Sequence, residues 1–280
     1  MEKSKMKKSM IHLLIAAATL VSAPVFAESH NQCVANIQSH VEKEESDTLA
    51  LLNLDECDIT DEDVPAIVSF INSRTDISSV NLNNNNIHAN GAKALAQVAS
   101  VKELDLGINY LGDEGAAEIA NNKSIDILFL QANDVGDNGA AALAKNKQLV
   151  VLLLNDNYVG DKGAAAFADS TIKELILEDN KIGDEGAIAL AKNKYVMSLA
   201  LNQNMIGDAG ALAFVTNSTL HYLDLSENQI GEAAVKQLMS ASFDVDLHGN
   251  PGYKDPNAHA KKSVKSELYK KYFKKKLTNR

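Results

Sequence analysis

Tryptophan is absent from the 280 residues, proline occurs four times, cysteine twice, and aromatic residues make up 5% of the chain. Four prolines are too few for a proline-rich spacer. Two cysteines, Cys33 and Cys57, exclude a disulfide-dense scaffold. No cysteine or histidine cluster has zinc-ligand spacing. None of the seven histidines stands at a recognised catalytic spacing from a cysteine, serine or carboxylate. Glu178-Asp179-Asn180-Lys181-Ile182-Gly183-Asp184 faintly resembles an acidic calcium loop, yet it lacks the alternating ligands and the final glutamate. The expectation is therefore no enzyme, no cofactor and no metal. One apolar run, Leu13 to Ala27, stands out, and it is short of the roughly 20 residues a membrane span needs.

What the chain has instead is a period. Asn85, Asn109, Asn133, Asn157, Asn180, Asn204 and Asn228 follow one another at gaps of 24, 24, 24, 23, 24 and 24 residues. Each ends the same apolar frame, as in Leu104-Asp105-Leu106-Gly107-Ile108-Asn109 and Leu152-Leu153-Leu154-Asn155-Asp156-Asn157. A fixed period in this range marks a stacked-repeat solenoid. Leu152 and Leu154 lie two apart, so on a strand both face the core while Leu153 faces out. Asn157 stands where the chain turns inward, and its amide carries the donors and acceptors needed to satisfy backbone groups that have no sheet partner.

The second half of each unit reads Gly-Asp-x-Gly-Ala, as at Gly136 to Ala140, Gly160 to Ala164, Gly183 to Ala187 and Gly207 to Ala211. Here the glycine suits a turn, the aspartate is expected to cap its own helix, and a short alanine-rich helix follows with Leu143 toward the core. Cys57 takes the asparagine slot in an early unit and Asn250 closes the series, giving nine units. In the seventh asparagine-bearing unit Glu232 replaces the aspartate and Ala234 the glycine.

The frame L-x-x-L-x-L-x-x-N resembles the ribonuclease-inhibitor-like class of leucine-rich repeats over roughly residues 48–252. That resemblance implies an α/β leucine-rich-repeat solenoid, a horseshoe or more gently curved, with a parallel concave sheet and short convex helices. It also implies that the concave face holds a protein partner. The sequence resembles secreted repeat proteins of host-associated bacteria as well, some of which act as effectors on host proteins.

The ends differ from the body. Residues 1–27 begin with a lysine-rich stretch and finish Val25-Phe26-Ala27, the pattern of a cleaved secretory leader with a mature chain from Glu28. Residues 28–47 are expected to form a capping helix, from about Gln32 to Glu42, and residues 253–280 a basic tail. The chain's net charge is −10; taking away +3 for residues 1–27 and +8 for residues 253–280 leaves −21 for residues 28–252. Such an acidic body repels nucleic acid and anionic membrane. From His259 to Arg280, Val264, Leu268 and Tyr272 recur at four-residue steps beside Tyr269, Phe273 and Leu277, a basic amphipathic helix. It has three readings: a terminal cap, docking on the chain's own acidic body, or contact with an anionic membrane or acidic partner. Export permits a disulfide between Cys33 and Cys57, and a buried free thiol at Cys57 is the other reading.

The outward strand positions carry the functional expectation. The residue between the core leucines is Asn53, Asn81, Asp105, Phe129, Leu153, Ile176, Ala200, Asp224 and Asp246 in turn, apolar only in the middle. Two residues earlier runs a second column through Glu103, Ile127, Val151, Glu174 and Tyr222. Ile127, Phe129, Val151, Leu153 and Ile176 should adjoin as an exposed patch of several hundred Å² on strands about 4.8 Å apart. Glu103, Asp105, Asp156, Glu174, Glu178, Asp179, Asp224 and Glu227 would form its charged rim, the anatomy of a protein interface. The rival expectation is a structural envelope or surface protein held by its tail.

Overall fold

The computed structural model describes residues 31–43 and 49–254. The expected leader 1–27, the cut before Glu28 and the basic helix from His259 to Arg280 lie outside the described residues. Among the described residues, ten strands form a single sheet in sequence order: β1 Val41–Glu42, β2 Ala50–Asn53, β3 Ile77–Asn81, β4 Glu103–Asp105, β5 Ile127–Phe129, β6 Val151–Leu153, β7 Glu174–Ile176, β8 Ser198–Ala200, β9 Tyr222–Asp224 and β10 Asp244–Asp246. All neighbours pair in parallel except β1, which runs antiparallel to β2. The sheet does not close on itself.

The unit follows from its residues. On either side of Leu153 in β6, Leu152 and Leu154 are buried in the main core, as period two requires, and Leu143 and Ala140 of the helix Asp137–Ala144 belong to the same core. Each leucine so buried contributes about 1.5–3 kcal/mol. After the strand the chain turns through a residue in the left-handed region: Ile108, Ala132, Asp156, Asp179, Gln203 and Glu227 all have φ between 49° and 57°. The ladder asparagine then satisfies the corner. Asn157 Nδ2 donates to the carbonyls of Leu130 (2.9 Å), Leu154 (3.1 Å) and Asn155 (3.0 Å). Its Oδ1 accepts from the amides of Asn133 (3.1 Å) and Val135 (2.9 Å).

The aspartates do something other than expected. Asp137 does not cap its own helix, whose N-cap is Gly136. Its Oδ1 accepts from the amides of Gly160 (2.8 Å) and Gly163 (2.9 Å), so it caps the helix of the following unit. Asp113, Asp161 and Asp184 repeat the arrangement. The reason is steric as well as electrostatic: a Cβ on Gly163 would lie 2.8 Å from Asp137 Oδ1, so the second glycine is what lets the carboxylate approach. Glu232, in the last described helix, instead binds Lys236 and Lys254.

A second asparagine ladder, absent from the sequence expectations, runs along the opposite corner. Asn146 donates to the carbonyls of Ala120 and Asn122, both at 2.9 Å, and accepts from the amides of Gln148 and Leu149. Asn122, Asn193 and Asn217 do likewise, and Ser170 takes the slot in the 23-residue unit. The spacing 122, 146, 170, 193, 217 was visible in the sequence.

At the N-terminal end the expected single helix is a composite. One turn, Gln32–Ala35, is capped by Asn31, followed by a 3₁₀ turn Ile37–His40 and then β1. The exposed edge of β2 explains the change, since a strand laid on it satisfies backbone groups that a helix would leave open. Cys33 and Cys57 are joined in a disulfide, with Cα atoms 6.0 Å apart, which ties this cap to the first unit.

Candidate partner-binding face

The sheet face turned away from the helices carries the two expected columns in register. Glu103, Ile127, Val151, Glu174, Ser198 and Tyr222 are successive partners, and so are Asp105, Phe129, Leu153, Ile176, Ala200 and Asp224. Phe129, Val151, Leu153, Ile176 and Ala200, with Ile127 packed against them, form an apolar cluster separate from the main core. The adjacency is as the sequence implied; the exposure is not. Phe129 is 1% exposed, Val151 and Leu153 4%, and Ile176 7%, so the patch is covered rather than open.

The acidic residues divide in the same way. Asp105, Glu178 and Asp224 are buried, Glu103 and Glu174 are half-buried, as is Tyr222 beside them, and Asp156 and Asp179 are exposed. These last two are not on strands at all: they occupy the left-handed corner. They therefore stand at the border of the face, not within it.

A third column, two residues beyond that of Asp105 and Phe129, was not singled out from the sequence. It runs through Asp55, Asn83, Gly107, Gln131, Asn155 and Glu178. Asn83 donates to Asp55 (2.9 Å), and Gln131 Nε2 reaches Asn83 Oδ1 (3.4 Å) across the intervening strand. It can do so because Gly107 lies between them: a Cβ there would overlap the Gln131 amide at 1.9 Å. The signal was the lone glycine in a column of polar residues.

Toward the C-terminal end the face becomes a carboxylate cluster. Burial pushes the Asp224 carboxyl up, against the two hydrogen bonds it receives from Ser226 Oγ (2.6 Å) and the Ser226 amide (2.9 Å). Burial likewise raises the Tyr222 hydroxyl, and the charges of Asp224, Asp246 and Asp244 raise it further, so it stays protonated. For His248, burial alone would lower the pKa, but the hydrogen bond between Nδ1 and Asp246 Oδ1 (2.7 Å) and the charges of Asp246, Asp224 and Glu227 outweigh it and hold the pKa above its usual value. An apolar cluster and a group of carboxylates thus lie side by side on one face of the sheet.

Elsewhere among the described residues, Cys33, His40 and Cys57 bring three potential metal-ligand atoms within 4.8 Å of one another. With both sulfurs in the disulfide, the trio offers one nitrogen. No helix among the described residues is long and apolar enough to cross a membrane.

Comparison with known proteins agrees with this geometry. Segments 75–96, 99–120, 121–144, 169–191, 192–215 and 216–239 match the family model described as Leucine Rich repeat. No curated protein matches the sequence. Among solved structures, an internalin C2 (inlC2) from Listeria monocytogenes str. 4b F2365 is similar with a TM-score of 0.57 at 22% identity, over 78% of this chain and 93% of that one. An internalin (inlF) from the same strain is similar with a TM-score of 0.50 at 22% identity, over 69% of this chain. The match spans about half of that internalin's length, 51%. At this identity the likeness is one of fold.

Proposed function

We propose that this chain, a leucine-rich-repeat protein, is an exported, non-catalytic module that holds a partner protein on the sheet face opposite its helices. The observation that carries the reading is the apolar cluster of β5 to β8. Phe129, Val151, Leu153, Ile176 and Ala200 stand apart from the core that stabilises the solenoid, on a face whose other positions are polar. A purely structural face needs no such cluster, whereas interfaces concentrate their energy in a few central apolar residues. Glu103, Glu174 and Glu178 beside it favour a basic partner and its rapid association. The lysine-rich start and the Val25-Phe26-Ala27 end support export, with a role as an effector on a partner outside the producing cell. N-terminal sequencing of the exported protein should begin at Glu28; an intact Met1 on a cytoplasmic protein would refute export.

The binding test uses a partner identified by capture on the immobilised chain, followed by affinity measurement. Leu153→Asp should weaken binding by about 2 kcal/mol or more, while Ile188→Asp, on the exposed side of a helix, should leave it unchanged. Equal affinity of the parent and Leu153→Asp would place the partner elsewhere.

A further inference from the structure

The N-terminal cap brings together three side chains that the sequence keeps apart. Cys33 stands in the turn Gln32–Ala35, His40 ends the 3₁₀ turn before β1, and Cys57 follows β2. Their two sulfurs and one ring nitrogen all lie within 4.8 Å of one another. A disulfide needs only the sulfurs, and nothing in its chemistry calls for the imidazole. We infer that the trio is a redox-gated metal site, which takes one zinc ion on Cys33, Cys57 and His40 when the disulfide is reduced and gives it up when the disulfide closes. This site is independent of the partner-binding face.

Ligand type and geometry both fit. Two thiolates and an imidazole suit borderline-soft zinc and not the oxygen-seeking calcium or magnesium. Zinc–sulfur bonds of about 2.3 Å and a zinc–nitrogen bond of about 2.0–2.1 Å in a tetrahedron set the ligand atoms about 3.5–3.8 Å apart. That spacing lies inside the span the trio already has. The Cα atoms of the cysteines, 6.0 Å apart, need not move, because rotating either side chain at χ1 parts the sulfurs.

The backbone carrying the trio is also held by bonds other than the disulfide. Asn31 Oδ1 accepts from the Cys33 amide at 2.9 Å, and Asn31 Nδ2 donates to the Cys57 carbonyl at 2.7 Å. The Cys57 amide donates to the ladder residue Asn85, at Oδ1, over 3.1 Å. His40 runs directly into β1, whose Val41 and Glu42 pair with Leu52 and Leu51. Arg74 Nη1 donates to Gln38 of the same 3₁₀ turn at 2.7 Å. Opening the S–S bond therefore leaves the ligands preorganised.

The chemistry balances with a thiol reductant. A dithiol gives the disulfide two electrons and two protons, leaves as its own disulfide, and frees both cysteine thiols. Zinc then displaces the two thiol protons to solvent and accepts a lone pair from the neutral His40 ring, with the two thiolates cancelling its charge. The described residues supply three ligands, and water can take the fourth position. The cap thus has two interchangeable clasps. In an oxidising compartment the disulfide ties residues 24 apart. In a reducing one the metal ties the same residues, and β1 stays on the edge of β2.

The test titrates the full chain with cobalt(II), a visible stand-in for zinc, after reduction by a phosphine that leaves as its oxide and adds no competing thiolate. The reduced chain should bind one ion per chain, with a thiolate-to-cobalt charge-transfer band in the near ultraviolet. The oxidised chain keeps every histidine and carboxylate and should show no such band. His40→Gln should weaken binding to the reduced chain at least about tenfold, the lower end of what even an outer-shell partner costs. The melting curve of its oxidised form should match the parent's. X-ray absorption of the zinc-loaded parent needs no variant and should find two sulfurs at about 2.3 Å and an imidazole nitrogen at about 2.0–2.1 Å. Zinc should also raise the melting midpoint of the reduced parent and leave that of the oxidised parent unchanged. Equal uptake by the oxidised and reduced chains, a reduced chain without the charge-transfer band, an ion shared between two chains, or undiminished affinity in His40→Gln would each overturn the inference.

Discussion

Asn157→Ala is the sharpest test of how this solenoid is held together. The substitution removes five hydrogen bonds, but not all five partners are stranded. The Leu154 carbonyl keeps Asn180 Nδ2 at 2.9 Å, and the Asn155 carbonyl keeps the Ala132 amide at 3.1 Å. The Leu130 carbonyl and the amides of Asn133 and Val135 lose the partner that Asn157 gives them. Each buried backbone group left unpaired costs about 1–3 kcal/mol. Taking the low end for each, because the space vacated by the amide admits water, the loss is about 3–4 kcal/mol. Urea melts followed by far-ultraviolet circular dichroism would measure it as a shift in midpoint at constant slope. The control is Asn138→Ala, an exposed residue in the first turn of a helix, expected to stay within about 0.5 kcal/mol. The adjacent Asp156 is a poor control, since it sits at φ 57° and alanine tolerates that conformation badly. A loss below about 1 kcal/mol for Asn157→Ala, or one equal to that of Asn138→Ala, would refute the accounting of stranded groups.

Other expectations follow from single observations. Ile108 is a β-branched, exposed residue at φ 51°, so Ile108→Asn should stabilise by about 1 kcal/mol in the same melts; a destabilised variant would show that its side chain is doing packing work. Cys33→Ser opens a cross-link between residues 24 apart and should cost about 3 kcal/mol on loop-closure grounds, with the parent under reducing conditions matching the variant. His248 has a raised pKa in the folded protein, so its contribution is fully present below the unfolded value of about 6.5 and is lost as pH rises through the folded value. The stability gap between parent and His248→Gln should therefore be widest under mildly acidic conditions and narrow with rising pH; a gap that widened with pH would reverse the assignment.

Much of the fold was legible in the chain because its determinants are local and repeated. A two-residue alternation fixes which leucines face inward, and a 24-residue period carries that parity from strand to strand. Leu104, Leu128, Leu152 and Leu175 therefore had to align, and with them Asp105, Phe129, Leu153 and Ile176 on the other face. The ladder asparagines were legible for the same reason: a polar residue recurring at the end of an apolar frame has a buried backbone to satisfy. Asn122, Asn146, Asn193 and Asn217 carry the same period without the apolar strand frame before them, so their role at the opposite corner is plain only from their hydrogen bonds.

Tertiary structure alone decided which unit each polar group serves and what is covered. Asp137 is a plausible cap for its own helix by sequence, and only the stacking offset turns its carboxylate onto Gly160 and Gly163 of the following unit. Gly107 looks like an ordinary irregularity until Gln131 is seen reaching across it. Cys57 could have been a free thiol; the turn beginning at Gln32 brings Cys33 to it. Strand parity put Phe129 on the outer face, but parity determines only the direction in which a side chain leaves the backbone. How far solvent reaches it is a property of the packed chain, in which Phe129 is 1% exposed and clusters with Val151, Leu153, Ile176 and Ala200.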